Sequence, residues 1–269
     1  MLRFLLLSFF VPALSLAQPP GTQAFNDGLA AHSAARYDDA IRLFEEARRA
    51  NYQPAPAPLF RIARAWSMKN DPSMAADWLQ QAADTGFANL ALLLNDSDFN
   101  NARRDPRFGG IAHSIDLNGK PCMTNARFRE FDFWIGEWNV TRMSDGAPSG
   151  SNEVLGILDG CVVMENWVPH NGNRGRAKSF TFLDPASGKW RQIYVTDNGQ
   201  VLDFTGELRD GAMHFTREYD QQGRRIQERM SFTPVDDGDV RQLWELSPDG
   251  GRNWSVLFDG RYRQKRKLP

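Results

Sequence analysis

Among the residues whose chemistry stands out, Glu165 is the most unusual. It sits in the run Val162-Val163-Met164-Glu165-Asn166-Trp167, which is otherwise strongly apolar. A carboxylate there is either on the solvent face of a strand or an interior acid that needs a partner. Other runs carry aromatic and amide residues at a spacing of two, which puts them on one face of a strand. Trp190, Gln192 and Tyr194 form one such face, Gln242 and Trp244 another, and the last run offers Trp254, Val256, Phe258 and Tyr262. Faces that mix aromatic rings with amides or hydroxyls suit a small-molecule pocket, where a few polar groups orient a ligand held by apolar walls. The candidate ligand-binding set is Glu165, Trp167, Trp190, Gln192, Tyr194, Phe204, Gln242 and Trp244. For each of them the alternative is an ordinary core position. A third possibility is an acid–base site at the same mouth, built from Glu165 with Arg176 or Lys178.

No catalytic residue is assigned. The chain has no Gly-x-Ser-x-Gly elbow, phosphate loop or dinucleotide fingerprint. Its histidines, His32, His113, His170 and His214, are scattered without metal-ligand spacing, so neither a metal nor a cofactor is expected.

Two kinds of element must position these residues. From about residue 128 onward apolar and polar residues alternate in short runs, separated by turn signals such as Asp145-Gly146, Asn171-Gly172, Asn198-Gly199, Asp210-Gly211 and Asp249-Gly250-Gly251. This is the pattern of an up-and-down antiparallel meander. About ten strands are predicted, near 137–143, 150–158, 161–169, 175–183, 189–196, 201–208, 212–219, 224–233, 239–246 and 253–262. An open meander of that length would expose two edges, so closure into a β-barrel is expected.

Before residue 110 the period is helical. Gly28, Ala40, Phe44 and Ala47 recur 35 residues later as Ala63, Ala75, Leu79 and Ala82, small on small and large on large. That offset is close to the period of tetratricopeptide helix pairs, which is about 34 residues. Pro54 to Pro58 separates the two units, and Asp71-Pro72 is placed to cap and start a helix. A further helical stretch, 88–94, resembles a terminal cap. The fold class is therefore α+β in two domains, with tetratricopeptide-like helical hairpins at 18–110, a linker at 111–126, a barrel at 127–263 and a basic tail at 264–269. The helical part either docks a protein partner or is a plain pedestal.

Residues 1–17 carry Arg3, an apolar run from Phe4 to Leu14, and Ser15-Leu16-Ala17. They read as a signal peptide cleaved after Ala17, which implies a periplasmic or secreted protein with no integral membrane segment after cleavage. Basic and acidic residues nearly cancel, 32 against 33, which argues against nucleic acid as a partner. In an oxidising compartment the only two cysteines, Cys122 and Cys161, are expected to form a disulfide, with two buried free thiols as the alternative.

The barrel region opens with Phe131-Asp132-Phe133-Trp134-Ile135-Gly136-Glu137-Trp138. Gly136-Glu137-Trp138 resembles the Gly-x-Trp signature of lipocalin-type barrels. The longer string, with Gly160-Cys161, Glu165-Asn166-Trp167, Lys189-Trp190-Arg191-Gln192 and Arg252-Asn253-Trp254, resembles a group of bacterial lipocalin-like domains of unknown function. The resemblance implies that Trp138 closes one barrel end beneath an arginine from the end of the barrel, Arg261 or Arg263. Together these readings lead to an exported, non-enzymatic barrel that holds a small apolar or amphipathic ligand. A scaffold with a filled barrel, or an enzyme with an unrecognised site in the barrel mouth, is the alternative.

Overall fold

A computed structural model describes residues 18–172 and 175–265. The expected signal peptide and the last four residues of the basic tail lie outside the described residues. The chain divides into two compact units between Gly119 and Lys120.

The first unit is helical. Helices α1 (Thr22–Ser33) and α2 (Tyr37–Arg49) form one pair, and α3 (Pro56–Met68) and α4 (Pro72–Asp84) form a second. The positions related by the 35-residue offset are buried in both: Ala40, Phe44 and Ala47 in the first pair, Ala75, Leu79 and Ala82 in the second. Gly28 packs tightly within the first pair, since a Cβ there would lie 2.7 Å from the Phe44 ring. Asp71 caps α4 by accepting a hydrogen bond from the Met74 amide, and Pro72 takes the first helical position, as expected. The proline-rich stretch does more than separate the pairs. Pro56 and Pro58 lie in the first turn of α3, where the missing N–H would have had no helical partner in any case. Beyond α5 (Leu90–Asn95), residues 108–118 form a further helix, α6 (Phe108–Asn118). It overlaps the expected linker, yet its Ile111 and Ile115 are buried against the α3–α4 pair.

The second unit is a closed ten-strand antiparallel barrel in which each strand pairs with its sequence neighbours and β1 pairs with β10. The strands are β1 (Gly136–Arg142), β2 (Pro148–Ile157), β3 (Val162–Pro169), β4 (Ala177–Asp184), β5 (Lys189–Thr196), β6 (Val201–Arg209), β7 (Ala212–Gln221), β8 (Arg224–Pro234), β9 (Val240–Ser247) and β10 (Ser255–Gln264). Each begins and ends within two residues of its expected position. The register shifts at two places, between Val140 and Thr141 where β1 meets β2 and in the last strand pair. The β9–β10 register shifts between Val256 and Phe258, leaving Leu257 as an extra residue, so Trp254 and Val256 do not share the inner face of Phe258 and Tyr262.

Cys122 and Cys161 form a disulfide, with Cα atoms 4.9 Å apart and 39 residues apart in sequence. It joins the short helix α7 (Pro121–Thr124) to the turn between β2 and β3. Arg127 adds a second anchor by donating to the Gly188 carbonyl in the β4–β5 turn at 2.7 Å. The segment leading into the barrel is thus fastened to two turns of the barrel itself.

Two variants test this packing. Cys122→Ala with Cys161→Ala removes the restraint of a closed loop of about 40 residues, so urea titration should show a stability loss of about 3–4 kcal/mol. Gly28→Ala gains about 1 kcal/mol of helix propensity but forces the Phe44 ring to move, at about 1–3 kcal/mol, so it should lower the melting temperature.

Candidate ligand-binding site

The barrel interior is divided along its axis. At one end it is filled by the segment that precedes β1. Phe131 and Trp134, both fully buried, stack with ring centroids 5.0 Å apart. Phe131 also meets Phe232 edge-on at 5.2 Å, and Trp134 lies 4.5 Å from the same ring. Trp138 donates from its indole to the Trp134 carbonyl at 3.0 Å. Trp190 belongs to this filling. Its ring is edge-on to Phe131, and its Nε1 donates to Glu130 at 2.8 Å. It shares the inner face of β5 with Gln192 and Tyr194 but sits one layer too deep to reach the open part of the lumen.

The other seven candidates converge on a cavity of about 300 Å³ at the opposite end. Glu165 and Trp167 come from β3, Gln192 and Tyr194 from β5, Phe204 from β6, and Gln242 and Trp244 from β9. Four further lining residues fall outside the candidate set: Met230 of β8 and Leu257, Phe258 and Tyr262 of β10. Phe258 and Tyr262 are visible in the alternation of the last strand. Leu257 is not, because the bulge places it, and it is 50% exposed at the rim. Rings pack edge-on around the wall, Trp244 against Tyr194 at 6.2 Å and Phe204 at 5.9 Å, and Trp167 against Phe258 at 6.1 Å. Gly150 makes room for Trp167, since a Cβ there would approach the indole to 2.6 Å.

Glu165 is the interior acid of this cavity, with 4% of its surface exposed. Its strand neighbours supply its hydrogen bonds. Asn152 of β2 donates to Oε1 and Ser179 of β4 donates to Oε2, each at 2.8 Å. Burial nevertheless wins over both and pushes the carboxyl up to about 7 from an ordinary 4.5. The Tyr194 and Tyr262 hydroxyls are raised as well, by burial first and then by the nearby Glu165 charge. Tyr262 donates to Gln242 Oε1, and Gln242 in turn donates to the Met230 sulfur at 2.8 Å. Gln192 donates to Thr181 Oγ1 at 3.1 Å, while its buried Oε1 has no partner.

A second buried acid, Glu228, is not among the lining residues but is bonded to Trp244 of the wall. Strands β6 and β7 pair only from Thr205↔Thr216 to Arg209↔Ala212, so the ladder stops short of Phe204 and Arg217. Side chains take over from backbone there. Arg217 forms an ion pair with Glu228 and lays its guanidinium over the Phe204 and Tyr219 rings, 5.4 and 4.5 Å from their centroids. Glu228 also accepts from Trp244 Nε1 at 2.9 Å and Tyr219 at 3.1 Å. Neither residue is in the candidate set, since the end of a strand ladder has no signature in one chain's alternation.

The remaining candidates are on the outer surface. Arg261 and Arg263 flank the inward Tyr262 and therefore point outward, both toward Asp239, with Arg261 Nε 2.7 Å from its carboxylate. The partner of the Trp138 ring is instead Tyr262, edge-on at 6.4 Å. Arg176 pairs with Asp197 at 3.4 Å and Lys178 donates to Asn166, so neither forms an acid–base pair with Glu165. Among the described residues no group of three His, Cys, Asp or Glu side chains is placed to hold a metal ion. Compared with known proteins, the chain matches no family model and no curated protein.

The buried carboxyl makes a pH prediction with a definite sign. The folded state keeps the Glu165 proton up to about pH 7, whereas the unfolded chain releases it near 4.5. Stability therefore falls as pH rises from 4.5 to 7, by about 1.4 kcal/mol per pH unit and about 3 kcal/mol in all, and is level beyond. In Glu165→Gln that loss should disappear. Urea titrations across pH 4–8 should show the variant gaining on the wild type through this window.

Proposed function

We propose that this protein is an exported, lipocalin-like binding protein whose barrel holds one small apolar or amphipathic molecule. The observation that carries this reading is the cavity of about 300 Å³ beside the aromatic filling. That volume is at the lower end for small-ligand sites, and the mixture of aromatic wall with a few convergent polar groups is the composition such sites share. A purely structural barrel would extend the filling of Phe131, Trp134 and Trp190 through the whole lumen. Here large side chains instead ring an opening that Leu257 borders.

Export is supported by the apolar run of residues 4–14 and by the disulfide, a bond that persists in oxidising compartments. No helix among the described residues is long and apolar enough to cross a membrane. The helical unit is assigned a protein-docking role as a short tetratricopeptide-like array. The support for that role is the 35-residue repeat, whose equivalent positions are buried alike in both helix pairs.

The test is retention. Full-length protein incubated with a metabolite extract and examined by native mass spectrometry should carry a bound small molecule. Met230→Trp, which pushes an indole into the cavity, should abolish it while leaving the melting temperature close to the wild type. A wild-type protein that retains nothing from the extract overturns the proposal.

A further inference from the structure

Of the buried acids Glu165 and Glu228, the second is satisfied by Arg217, Tyr219 and Trp244, whereas Glu165 meets only the neutral donors Asn152 and Ser179. The groups facing Glu165 from each neighbouring element are uncharged or acidic. They are Asn152 and Val154 from β2, Ser179 from β4, and Tyr194 and Tyr262 across the lumen. No lysine, arginine or histidine is among the residues that line the cavity. The nearby cation Lys178 and the carboxylate Glu153 belong to the outer face, where each is bonded to Asn166.

A carboxyl buried this way lacks a countercharge, so ionising it is costly unless a cation is brought beside it. The uncommitted polar capacity nearby is mostly acceptor, the Tyr194 hydroxyl being a lining group that can also donate. Gln192 Oε1 and Asn152 Oδ1 are buried acceptors without donors. The Tyr262 hydroxyl and the Gln242 amide are already engaged as donors to Gln242 Oε1 and to the Met230 sulfur. The site is thus rich in acceptors and poor in donors. Around it stand the rings of Trp167, Tyr194, Trp244 and Phe258, whose faces attract a cation.

Resting on the ligand-binding reading above, we propose that the barrel selects an organic ammonium: a protonated amine on a compact aromatic or apolar body, its N–H groups directed at Glu165 and its body between the rings. An ammonium brings a positive charge and three donors, and so supplies both things the cavity lacks. An alcohol of the same shape brings one donor and no charge. A carboxylate brings a second negative charge beside Glu165.

The experiment is calorimetric titration of the full chain with 2-phenylethylamine, 2-phenylethanol and phenylacetate at pH 5.5, 7 and 8. At pH 8 the amine should bind at least about tenfold more tightly than the alcohol, and phenylacetate should bind most weakly. The amine needs ionised Glu165, so its affinity should fall as pH drops below 7, approaching about tenfold per pH unit, while that of the alcohol stays level. Glu165→Gln should bring the amine down to the alcohol. If that variant does not fold, the wild-type pH profile alone decides. Equal binding of amine and alcohol, a preference for phenylacetate, or silence of all three from a protein that does retain metabolites overturns the ammonium proposal and leaves the binding barrel standing. Retention of nothing at all overturns both.

Discussion

Phe131 and Trp134 occupy the interior of the barrel, and the remaining architecture follows from what they fill. A ten-strand barrel encloses more volume than its wall residues alone can pack, and interiors tolerate few voids. The chain meets this constraint at one end by inserting the segment just before the first strand. Phe131 stacks on Trp134, Phe232 closes against both, and Trp190 and Trp138 are tied in through their indole N–H groups. The disulfide and the Arg127–Gly188 hydrogen bond hold the inserted segment to the turns nearby. With that end closed, whatever space the barrel keeps must lie at the other, which is where the cavity is found.

Within the cavity a polar cost has been accepted that the filled end avoids. Two hydrogen bonds do not compensate the desolvation of Glu165, as its upward shift to about 7 shows. A leucine or methionine at that position would serve a purely structural wall better. The contrast with Glu228 is instructive, because that acid is just as buried but has its cation in place. The difference between the two lies in their neighbours: Arg217 stands where the β6–β7 ladder has ended and a side chain can turn into the gap. Glu165 sits in an unbroken ladder between β2 and β4, whose inward positions are Asn152 and Ser179.

The ten strands could be read along the chain because each is a local statement: a run alternating at period two, stopped by a turn whose chemistry is Asx-Gly or similar. Alternation also places a residue on the inner or outer face. That is why seven of the eight lumen candidates, including Glu165, line one cavity. The same logic, followed strictly, puts Arg261 and Arg263 outside once Tyr262 is inside. The helical pairs are legible for a similar reason, since small residues must recur wherever helices touch. Helix α6 is not, because Gly109 and Gly110 weaken its helical signal and the burial of Phe108, Ile111 and Ile115 depends on the helices they meet.

What alternation leaves undetermined is depth. Trp190, Gln192 and Tyr194 are equivalent along β5, yet the first is packed into the filling and the other two line the cavity. Depth is set by how far a segment from elsewhere in the chain reaches into the lumen. The same holds for Leu257, raised to the rim by a bulge, and for Arg217, set into a seam where two strands part. Strand number, strand order and face are therefore properties of the sequence, carried by local periodicity and turns. The filled end, the cavity and the isolation of Glu165 within it exist only after closure, because they arise from side chains far apart in the chain competing for one enclosed volume.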